Sequence, residues 1–423
     1  MMQRRAALKL IAGVTAANVV RPAAAQPFER SVKPDDVGLS RDSLLRLTAW
    51  YQREVDAKRI PGAVVAVGRG GKLAWLEAVG LRDRDLNAPM RTDTLFRMAS
   101  MTKPITSLAA TMLVEESKVM LWHPVSRYLP EFKEATVGTE RAPIEREATV
   151  LDLLRHTSGL TYGAPAPAGA PVQQAYAAAK VSSMAQTGDQ FIANIAGQPL
   201  ARQPGTYWEY SHSTDVLGRV VEVASGQPLD VFFSERIFQP LGMAHTAFWA
   251  GQDRAERLVQ PQVDPLTKAR QEMPSLIDKP AWFWGGHGLL STASDYARLC
   301  QMFLNKGRFG GAHLLSRKYV DLMTADHLPP GTQFDAGVLR AQAFLAPVPA
   351  IGNGFGLGFV VRTAEGRNPV PGSVGDYSWA GAWGTYFWID PKEDLYAIML
   401  IQGPADRMHY RYAMRQLVYD ALV

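Results

Sequence analysis

Three groups of residues, far apart in the chain, carry side chains that could attack a carbonyl carbon. The first group runs from Ser100 to Lys103 and is followed at once by Pro104. A serine hydroxyl is a poor nucleophile until a neighbouring group takes its proton, and a lysine amine can help if burial lowers its pKa. Alone this spacing is weak evidence, because a helix-capping serine beside a solvated lysine has the same pattern. The spacing indicates a catalytic serine only in combination with the other two groups.

The second group spans Tyr210 to His212, and the third spans Trp379 to Ala382. A tyrosine at the turn before a helical run can accept a proton when an ammonium group lies close to it. The third group stands just before a strand-like run over residues 384–389. Its small side chains let a substrate lie against the strand edge, and a backbone N–H there can complete an oxyanion hole.

A helix has to position the serine. Apolar residues at 101, 105, 108, 109, 112 and 113 follow helical spacing. Pro104 is tolerated only in the first turn of a helix, so the pattern predicts a helix that begins near Ser100. Ser100 and Lys103 then share one face, and the unpaired N–H groups at the helix start favour a developing negative charge.

Strand-like runs occur near both ends of the chain. Residues 63–68 and 73–79 flank the turn sequence Arg69-Gly70-Gly71-Lys72, and residues 384–389 and 395–401 flank Asp390 to Asp394. These patterns predict two antiparallel pairs that belong to one sheet. Helices over residues 42–55 and 408–422 are expected to cover that sheet.

The middle of the chain, from residue 100 to about 281, reads as helical patches joined by long loops, of which Gly163 to Pro171 is one. The predicted fold class is α+β, with an antiparallel sheet flanked by helices and a helical subdomain inserted. The expected sheet subdomain covers about residues 26–98 and 285–423, and the helical subdomain about residues 99–284. A cleft is expected between them, where sites tend to form.

Residues 1–25 have the composition of an export signal peptide. They contain Arg4 and Arg5, an apolar stretch over residues 11–20, and three alanines before Gln26. The paired arginines resemble a twin-arginine signal, which a receptor reads and which is not an anchor. The sequence predicts an exported, periplasmic protein whose mature part, residues 26–423, is a single unit. The alternative is the uncleaved N-terminus of a cytosolic protein.

Composition excludes several other functions. The predicted signal holds four basic residues and no acidic one. Its removal leaves 41 basic and 40 acidic residues, so the formal charge falls from +5 to about +1 in the mature chain. No basic face remains for a nucleic acid, and no apolar run is long enough for a membrane span. The chain has a single cysteine, Cys300, so no intrachain disulfide is possible. Its spacing from neighbouring apolar residues predicts that it lies on the buried face of a helix. The eight histidines lack metal-ligand spacing, so no metal or other cofactor is predicted.

The three groups, in this order, resemble the three motifs of the serine β-lactamase and penicillin-binding-protein superfamily. These motifs are Ser100–Lys103, Tyr210–His212 and Trp379–Gly381. Other stretches also look like sequences of that family, namely residues 153–160, 240–243 and 285–293. The branch that the chain resembles most is the class C β-lactamase-like esterases, often called family VIII carboxylesterases.

The resemblance implies a role for each residue. Ser100 would be the nucleophile, Lys103 its proton partner and Tyr210 the general base that later activates water. The backbone N–H groups of Ser100 and Ala382 would form the oxyanion hole. Which of Lys103 and Tyr210 takes the first proton stays open. The residues implied to contact the substrate are His212, Trp379, Ala380 and Gly381.

Two departures from the class C β-lactamase pattern bear on the substrate. His212 stands where those enzymes have asparagine, and it either bonds the substrate or merely walls the cleft. Trp379 and Ala380 stand where they have the lysine and threonine that help hold the carboxylate of a β-lactam. Their replacement removes a charge and a hydroxyl from the site, which favours neutral or apolar esters.

The sequence therefore predicts a serine hydrolase that cleaves carboxylic esters, with a small-molecule ester or amide as substrate. A β-lactamase or a D-alanyl-D-alanine carboxypeptidase with the same acyl-serine chemistry is the first alternative. A catalytically inactive homologue that acts as a binding protein is the second. Acyl transfer to an alcohol is also open, because the same intermediate serves both outcomes.

Overall fold

An eight-stranded antiparallel sheet is the largest element of the computed structural model, which describes residues 32–164 and 166–423. The predicted export signal lies outside these residues. The strands follow the spatial order β4-β5-β6-β7-β8-β1-β2-β3. Their bounds are β1 Gly62–Arg69, β2 Lys72–Asp83, β3 Ala88–Pro89, β4 Asn353–Phe355, β5 Val360–Arg362, β6 Tyr377–Ala380, β7 Tyr386–Asp390 and β8 Leu395–Leu400.

The sheet joins the two ends of the chain at β1. Val64 of this strand lies opposite Ala78 of β2 on one side and opposite Leu400 of β8 on the other. The β1–β2 turn uses Gly70 and Gly71, both at positive φ (61° and 73°), which suits a tight two-residue hairpin. Both predicted antiparallel pairs, and their union in one sheet, are therefore confirmed.

Twelve α-helices are seen within the described ranges. They are α1 Arg41–Asp56, α2 Lys103–Glu115, α3 Val150–Leu154, α4 Pro171–Ala178, α5 Gly188–Ala196, α6 Ser213–Ser225, α7 Leu229–Phe233, α8 Gln239–Leu241, α9 Ala293–Leu304, α10 Arg317–Met323, α11 Val338–Gln342 and α12 Arg407–Tyr419. Over those same residues, no helix combines the length and the apolar character that crossing a membrane requires.

Helices cover both faces of the sheet. The Tyr51 hydroxyl of α1 bonds to Met399 of β8 at 2.8 Å, and it also bonds to the carbonyl of Tyr410 in α12 at 3.3 Å. On α9, Tyr296 packs its ring on Phe387, which lies opposite Ile398 in the ladder. Because Ile398 and Met399 are adjacent in one strand, their side chains point to opposite faces. Helices α1 and α12 therefore cover one face, and α9 covers the other.

The segment between β3 and α9 is mainly helices and loops. Helix α2 is buried from Lys103 to Leu113 and packs against α6, so it is the central helix of this region. Two-residue strands pair loops within this segment and loops that follow α9. They pair Phe96–Arg97 with Leu290–Ser291, Thr136–Val137 with Ala142–Pro143, Tyr207–Trp208 with Gln333–Phe334, and Arg308–Phe309 with Ala312–His313. The fold is α+β as predicted, whereas the division into two subdomains stays a prediction.

Candidate active site

Ser100 lies at the entrance to helix α2. It belongs to a 3₁₀ turn, Ala99–Thr102, that runs directly into the helix, with Pro104 in the first turn as the sequence predicts. Ala99, the residue before it, has φ of +47°, an unusual conformation for a residue with a side chain. Such local strain is concentrated at functional sites. The turn holds the serine side chain at the edge of a cleft.

The ammonium group of Lys103 donates hydrogen bonds to three acceptors. Its Nζ donates to the Gly286 carbonyl at 2.8 Å, to the Tyr162 hydroxyl at 3.1 Å and to Ser100 Oγ at 3.4 Å. The side chain is only 1% exposed. Burial by itself lowers the pKa of Lys103, but the nearby oxygens of Tyr162, Tyr210 and Asp215 outweigh burial and raise it above its ordinary value. These neighbours therefore favour the ammonium form of Lys103.

Tyr210 lies beside this ammonium group. Lys103 Nζ is 4.7 Å from the centroid of the Tyr210 ring. The phenol oxygen is buried and makes no hydrogen bond of good geometry with the described residues, but it lies close enough to the Lys103 ammonium to contribute to the raised pKa of that group. Tyr210 and Ser100 line the same cleft. The structure thus brings Ser100, Lys103 and Tyr210 together and leaves one oxygen free to exchange a proton.

The third motif forms one wall of the cleft. Trp379 and Ala380 end strand β6, which the sequence pattern had not indicated, and Gly381 and Ala382 follow it. A Cβ atom on Gly381 would overlap Thr385 Oγ1 and lie 2.5 Å from the Met98 carbonyl oxygen. Only glycine therefore allows this strand to approach the segment that leads into Ser100. All four of these residues line the cleft, and the contact of Trp379, Ala380 and Gly381 with a substrate stays a prediction.

His212 lies behind the cleft. Its Nδ1 is 2.8 Å from Asp215 Oδ2, and its Nε2 is 2.9 Å from Ser182 Oγ. Its ring packs edge-on against Tyr162, with centroids 4.4 Å apart. Burial lowers its pKa despite the opposing hydrogen bond to Asp215, so the imidazole is neutral near pH 7. As placed, His212 has no ring nitrogen to offer a substrate, and it supports Tyr162 instead.

Asp215 connects these supports to the lysine. The carboxylate is completely buried, and its Oδ1 accepts the Gly286 N–H at 2.7 Å while His287 Nδ1 lies 3.6 Å away. Burial opposes its charge, but the hydrogen bond from His212 and the nearby His287 imidazole hold its pKa below the ordinary value. Since the Gly286 carbonyl accepts from Lys103, Asp215 fixes one of the three acceptors of the ammonium group.

Four residues in or behind the cleft were not predicted from the sequence. Asp215 was only one residue of a helical run, and Tyr162 follows the motif over residues 153–160 without belonging to it. Arg407 and Arg411 of α12 also line the cleft. Their helix was predicted only as a cover for the sheet. A basic side chain recurring after four residues, which places both on one helix face, was the available signal.

Taken together, the site holds a serine hydroxyl, a buried ammonium group and an unpartnered phenol. The Ala382 N–H donates to no acceptor among the described residues. It is therefore free for the oxygen of a substrate carbonyl. This set suits acyl transfer through a serine ester, the chemistry of an activated hydroxyl nucleophile.

Comparison with known proteins agrees with this geometry. The Beta-lactamase family model matches residues 47–419. Protein Rv1367c of Mycobacterium tuberculosis is 37% identical over 368 residues, which cover 84% of this chain and 89% of that protein. Esterase EstB of Burkholderia gladioli is 31% identical over 412 residues, which cover 92% of this chain and 98% of EstB.

A solved structure extends the agreement to the fold. EstCE1, described as a hydrolase with promiscuous acyltransferase activity, superposes with a TM-score of 0.75 at 26% identity. The superposition covers 89% of this chain and 99% of EstCE1. The resemblance drawn from the three motifs is confirmed. The chain belongs to the Beta-lactamase family, in the serine β-lactamase and penicillin-binding-protein superfamily with its esterase branch.

Proposed function

We propose that this protein is a carboxylic ester hydrolase that works through an acyl-enzyme on Ser100. The observation that carries the proposal is the convergence of three groups. Ser100 Oγ lies 3.4 Å from a buried ammonium, and the phenol oxygen of Tyr210, which lines the same cleft, has no partner in the described part of the chain.

We assign the first proton transfer to Tyr210. An ammonium group has no lone pair, so Lys103 in that form cannot accept the serine proton, whereas Tyr210 can accept it as the phenolate, whose negative charge the adjacent ammonium balances. Ser100 Oγ then forms a bond to the ester carbonyl carbon, and the N–H groups of Ser100 and Ala382 bind the oxyanion. Tyr210 returns the proton to the leaving alcohol. In deacylation Tyr210 takes a proton from water, and the water oxygen bonds to the acyl carbon. The bond from that carbon to Ser100 Oγ then breaks, the proton passes to Oγ, and the acid is released.

Two observations favour an ester over a β-lactam. The third motif contributes Trp379 and Ala380 in place of a cation and a hydroxyl, and the relatives of high coverage include esterase EstB. Other relatives, at 26% identity, are named putative D-alanyl-D-alanine carboxypeptidases of Salmonella typhimurium and Salmonella typhi. The acyl-serine chemistry is common to these alternatives, so the substrate distinguishes them.

The test is acylation of the purified protein by 4-nitrophenyl butyrate. We expect release of nitrophenolate and a mass increase of one butyryl group on Ser100, both lost in Ser100→Ala. The cephalosporin nitrocefin should be hydrolysed far more slowly. Retained activity in Ser100→Ala would refute the mechanism. Faster turnover of nitrocefin than of the ester would favour a β-lactamase, and the absence of any label on Ser100 would favour an inactive binding protein.

We also propose that residues 1–25 direct export to the periplasm and are then removed. The composition of that segment supports this proposal. Expression in a bacterium with cell fractionation tests it. Mature protein that starts near Gln26 should appear in the periplasmic fraction, and replacement of Arg4 and Arg5 by lysine should retain the precursor in the cytosol. Unprocessed wild-type protein in the cytosol would contradict the proposal.

A further inference from the structure

Ser182, His212 and Asp215 form a chain of hydrogen bonds that the proposed ester hydrolysis does not use. His212 Nε2 lies 2.9 Å from Ser182 Oγ, and His212 Nδ1 lies 2.8 Å from Asp215 Oδ2. A serine, a histidine and a carboxylate joined through these two ring nitrogens have the arrangement of the Ser-His-Asp triad of serine hydrolases. That triad is recognised by its geometry, because its order along the chain differs between folds. We call this arrangement the Ser182 triad.

The local structure places the three side chains of the Ser182 triad. His212 immediately precedes helix α6, and Asp215 lies in the first turn of that helix, three residues later on the same side. Ser182 comes from the loop between α4 and α5. It is exposed, whereas the imidazole is only 1% exposed and the carboxylate is completely buried. A reagent in solution can therefore approach the serine, while the two groups behind it are shielded from water.

The proton of the neutral His212 lies on the nitrogen that faces Asp215. An ionised carboxylate only accepts hydrogen bonds, so Nδ1 is the donor in the 2.8 Å contact. Nε2 then carries a lone pair, to which the Ser182 hydroxyl donates. Burial lowers the pKa of His212, which keeps Nε2 unprotonated at neutral pH. The imidazole is thus able to accept the proton of Ser182.

Aromatic side chains hold the imidazole in this orientation. Tyr162 and Phe191 pack edge-on against it, with ring centroids 4.4 and 5.7 Å away, and the Trp284 ring lies at 6.1 Å. The backbone N–H of Ser182 donates to no acceptor among the described residues. In Ser-His-Asp enzymes the N–H of the nucleophile is one of the donors that bind the oxyanion. The base and one such donor are therefore both present at Ser182.

We propose that Ser182 is a second nucleophile of this protein, activated by His212 and Asp215, and that it forms covalent adducts with activated esters of carboxylic and phosphoric acids. Ser182 Oγ forms a bond to the carbonyl carbon or phosphorus as its proton passes to His212 Nε2. The bond to the leaving group then breaks, and His212 gives the proton to that leaving group. The acyl or phosphoryl group remains on Ser182 Oγ.

The Ser182 triad is separate from the site proposed for ester hydrolysis. Ser182 does not line the cleft that holds Ser100. An exposed side chain places little protein surface around an ester, so little binding energy is available to speed the reaction. Acylation of Ser182 should therefore be slow and stoichiometric, which leaves the loss of turnover expected in Ser100→Ala measurable. Failure of the chemistry at Ser100 would leave Ser182 unaffected.

Labelling by diisopropyl fluorophosphate tests the proposal. Ser100→Ala protein is incubated with the reagent near neutral pH and digested, and peptide mass spectrometry follows the phosphorylation of Ser182 and of Ser183. Ser183 is the internal control, because it is the adjacent serine and its hydroxyl only accepts from the Ala185 N–H at 3.4 Å. We expect Ser182 to react at least about 100-fold faster, the lower end of what a general base contributes. The reagent 4-nitrophenyl acetate should acetylate the same residue.

Two variants in the Ser100→Ala background assign this reactivity to the Ser182 triad. In His212→Gln the amide can still hydrogen-bond to both neighbours but cannot act as a base. In Asp215→Asn the NH₂ group donates to Nδ1, so the imidazole proton moves to Nε2 and occupies the lone pair that Ser182 needs. Each variant should slow the labelling of Ser182 by about 100-fold or more. Ser183→Ala is the matched control and should leave the labelling rate of Ser182 unchanged.

The possible outcomes are distinct. Equal labelling of Ser182 and Ser183 would overturn the proposal, since Ser182 would then only anchor its loop to His212. Labelling of Ser182 at the full rate in folded His212→Gln and Asp215→Asn would also overturn it, because exposure alone would explain the reaction. If neither variant folds, the rates of Ser182 and Ser183 in Ser100→Ala decide. Labelling of Ser100 in the wild-type protein reports separately on the proposed ester hydrolysis.

Discussion

Substitution of Asp215 tests whether a buried carboxylate holds the ammonium group in place. In Asp215→Ala, the Gly286 N–H at 2.7 Å and His212 Nδ1 at 2.8 Å lose their common acceptor. Each buried donor left unsatisfied costs about 1–3 kcal/mol, so the variant should be less stable by about 2–6 kcal/mol. Because Gly286 also carries a carbonyl that accepts from Lys103, kcat should fall as well.

Asp215→Asn is the matched control. Its amide oxygen can still accept the Gly286 N–H, and its NH₂ group can donate to His212 if the imidazole proton moves to Nε2, which faces Ser182. The loss should then be about 1 kcal/mol, the difference between a charged and a neutral hydrogen bond. Urea unfolding followed by tryptophan fluorescence measures the free energy of all three proteins at pH 7.

The pH dependence of the free energy of unfolding tests whether the ionised Asp215 carboxylate stabilises the fold. Although burial opposes its charge, the hydrogen bond from His212 and the nearby His287 imidazole hold the pKa of Asp215 below its ordinary value of 3.8. The carboxylate therefore stabilises the fold above pH 3.8, and this contribution is lost as the pH falls through the lower folded-state pKa. The difference in free energy of unfolding between wild type and Asp215→Ala should therefore become smaller at acidic pH. The reasoning is refuted if Asp215→Ala unfolds within about 0.5 kcal/mol of wild type at pH 7.

Two further substitutions test other parts of the structure. Tyr162→Phe removes one acceptor of the Lys103 ammonium, so kcat for 4-nitrophenyl butyrate should fall about tenfold with little change in thermal midpoint; an unchanged kcat would contradict this role. Asp376→Ala leaves Arg415 and Arg362 buried without their shared carboxylate, so the free energy of unfolding should fall by about 3–5 kcal/mol, and a chemical denaturation curve that matches wild type would contradict it.

Elements held by local hydrogen bonds were predictable from the sequence. The hairpin expected over residues 63–68 and 73–79 is found as β1 and β2, extended by one to four residues at its ends. Alternation, turn glycines and helical spacing are properties of neighbouring residues, so a single sequence contains them. The position of Ser100 before helix α2 follows in the same way from Pro104.

Contacts between distant segments were not predictable. The ionisation of Lys103 depends on Tyr162 and Asp215, which lie 59 and 112 residues further along the chain. Arg411 reaches the cleft only because α12 packs against the sheet near Gly381. The sequence supplies no distance for such pairs. The reacting groups could therefore be predicted from residue type and spacing, but the groups that set their charge could not.

The central position of β1 in the sheet has a consequence for biosynthesis. Its pairing with β2 needs only a two-glycine turn, whereas its other edge pairs Val64 with Leu400, a residue 336 positions later. At a translation rate of about 5–20 residues per second, that edge stays open for roughly 17–67 s. An unpaired edge of a hydrophobic strand is a template for aggregation. Nascent chains of this protein should therefore need chaperone protection until the C-terminal strands emerge from the ribosome.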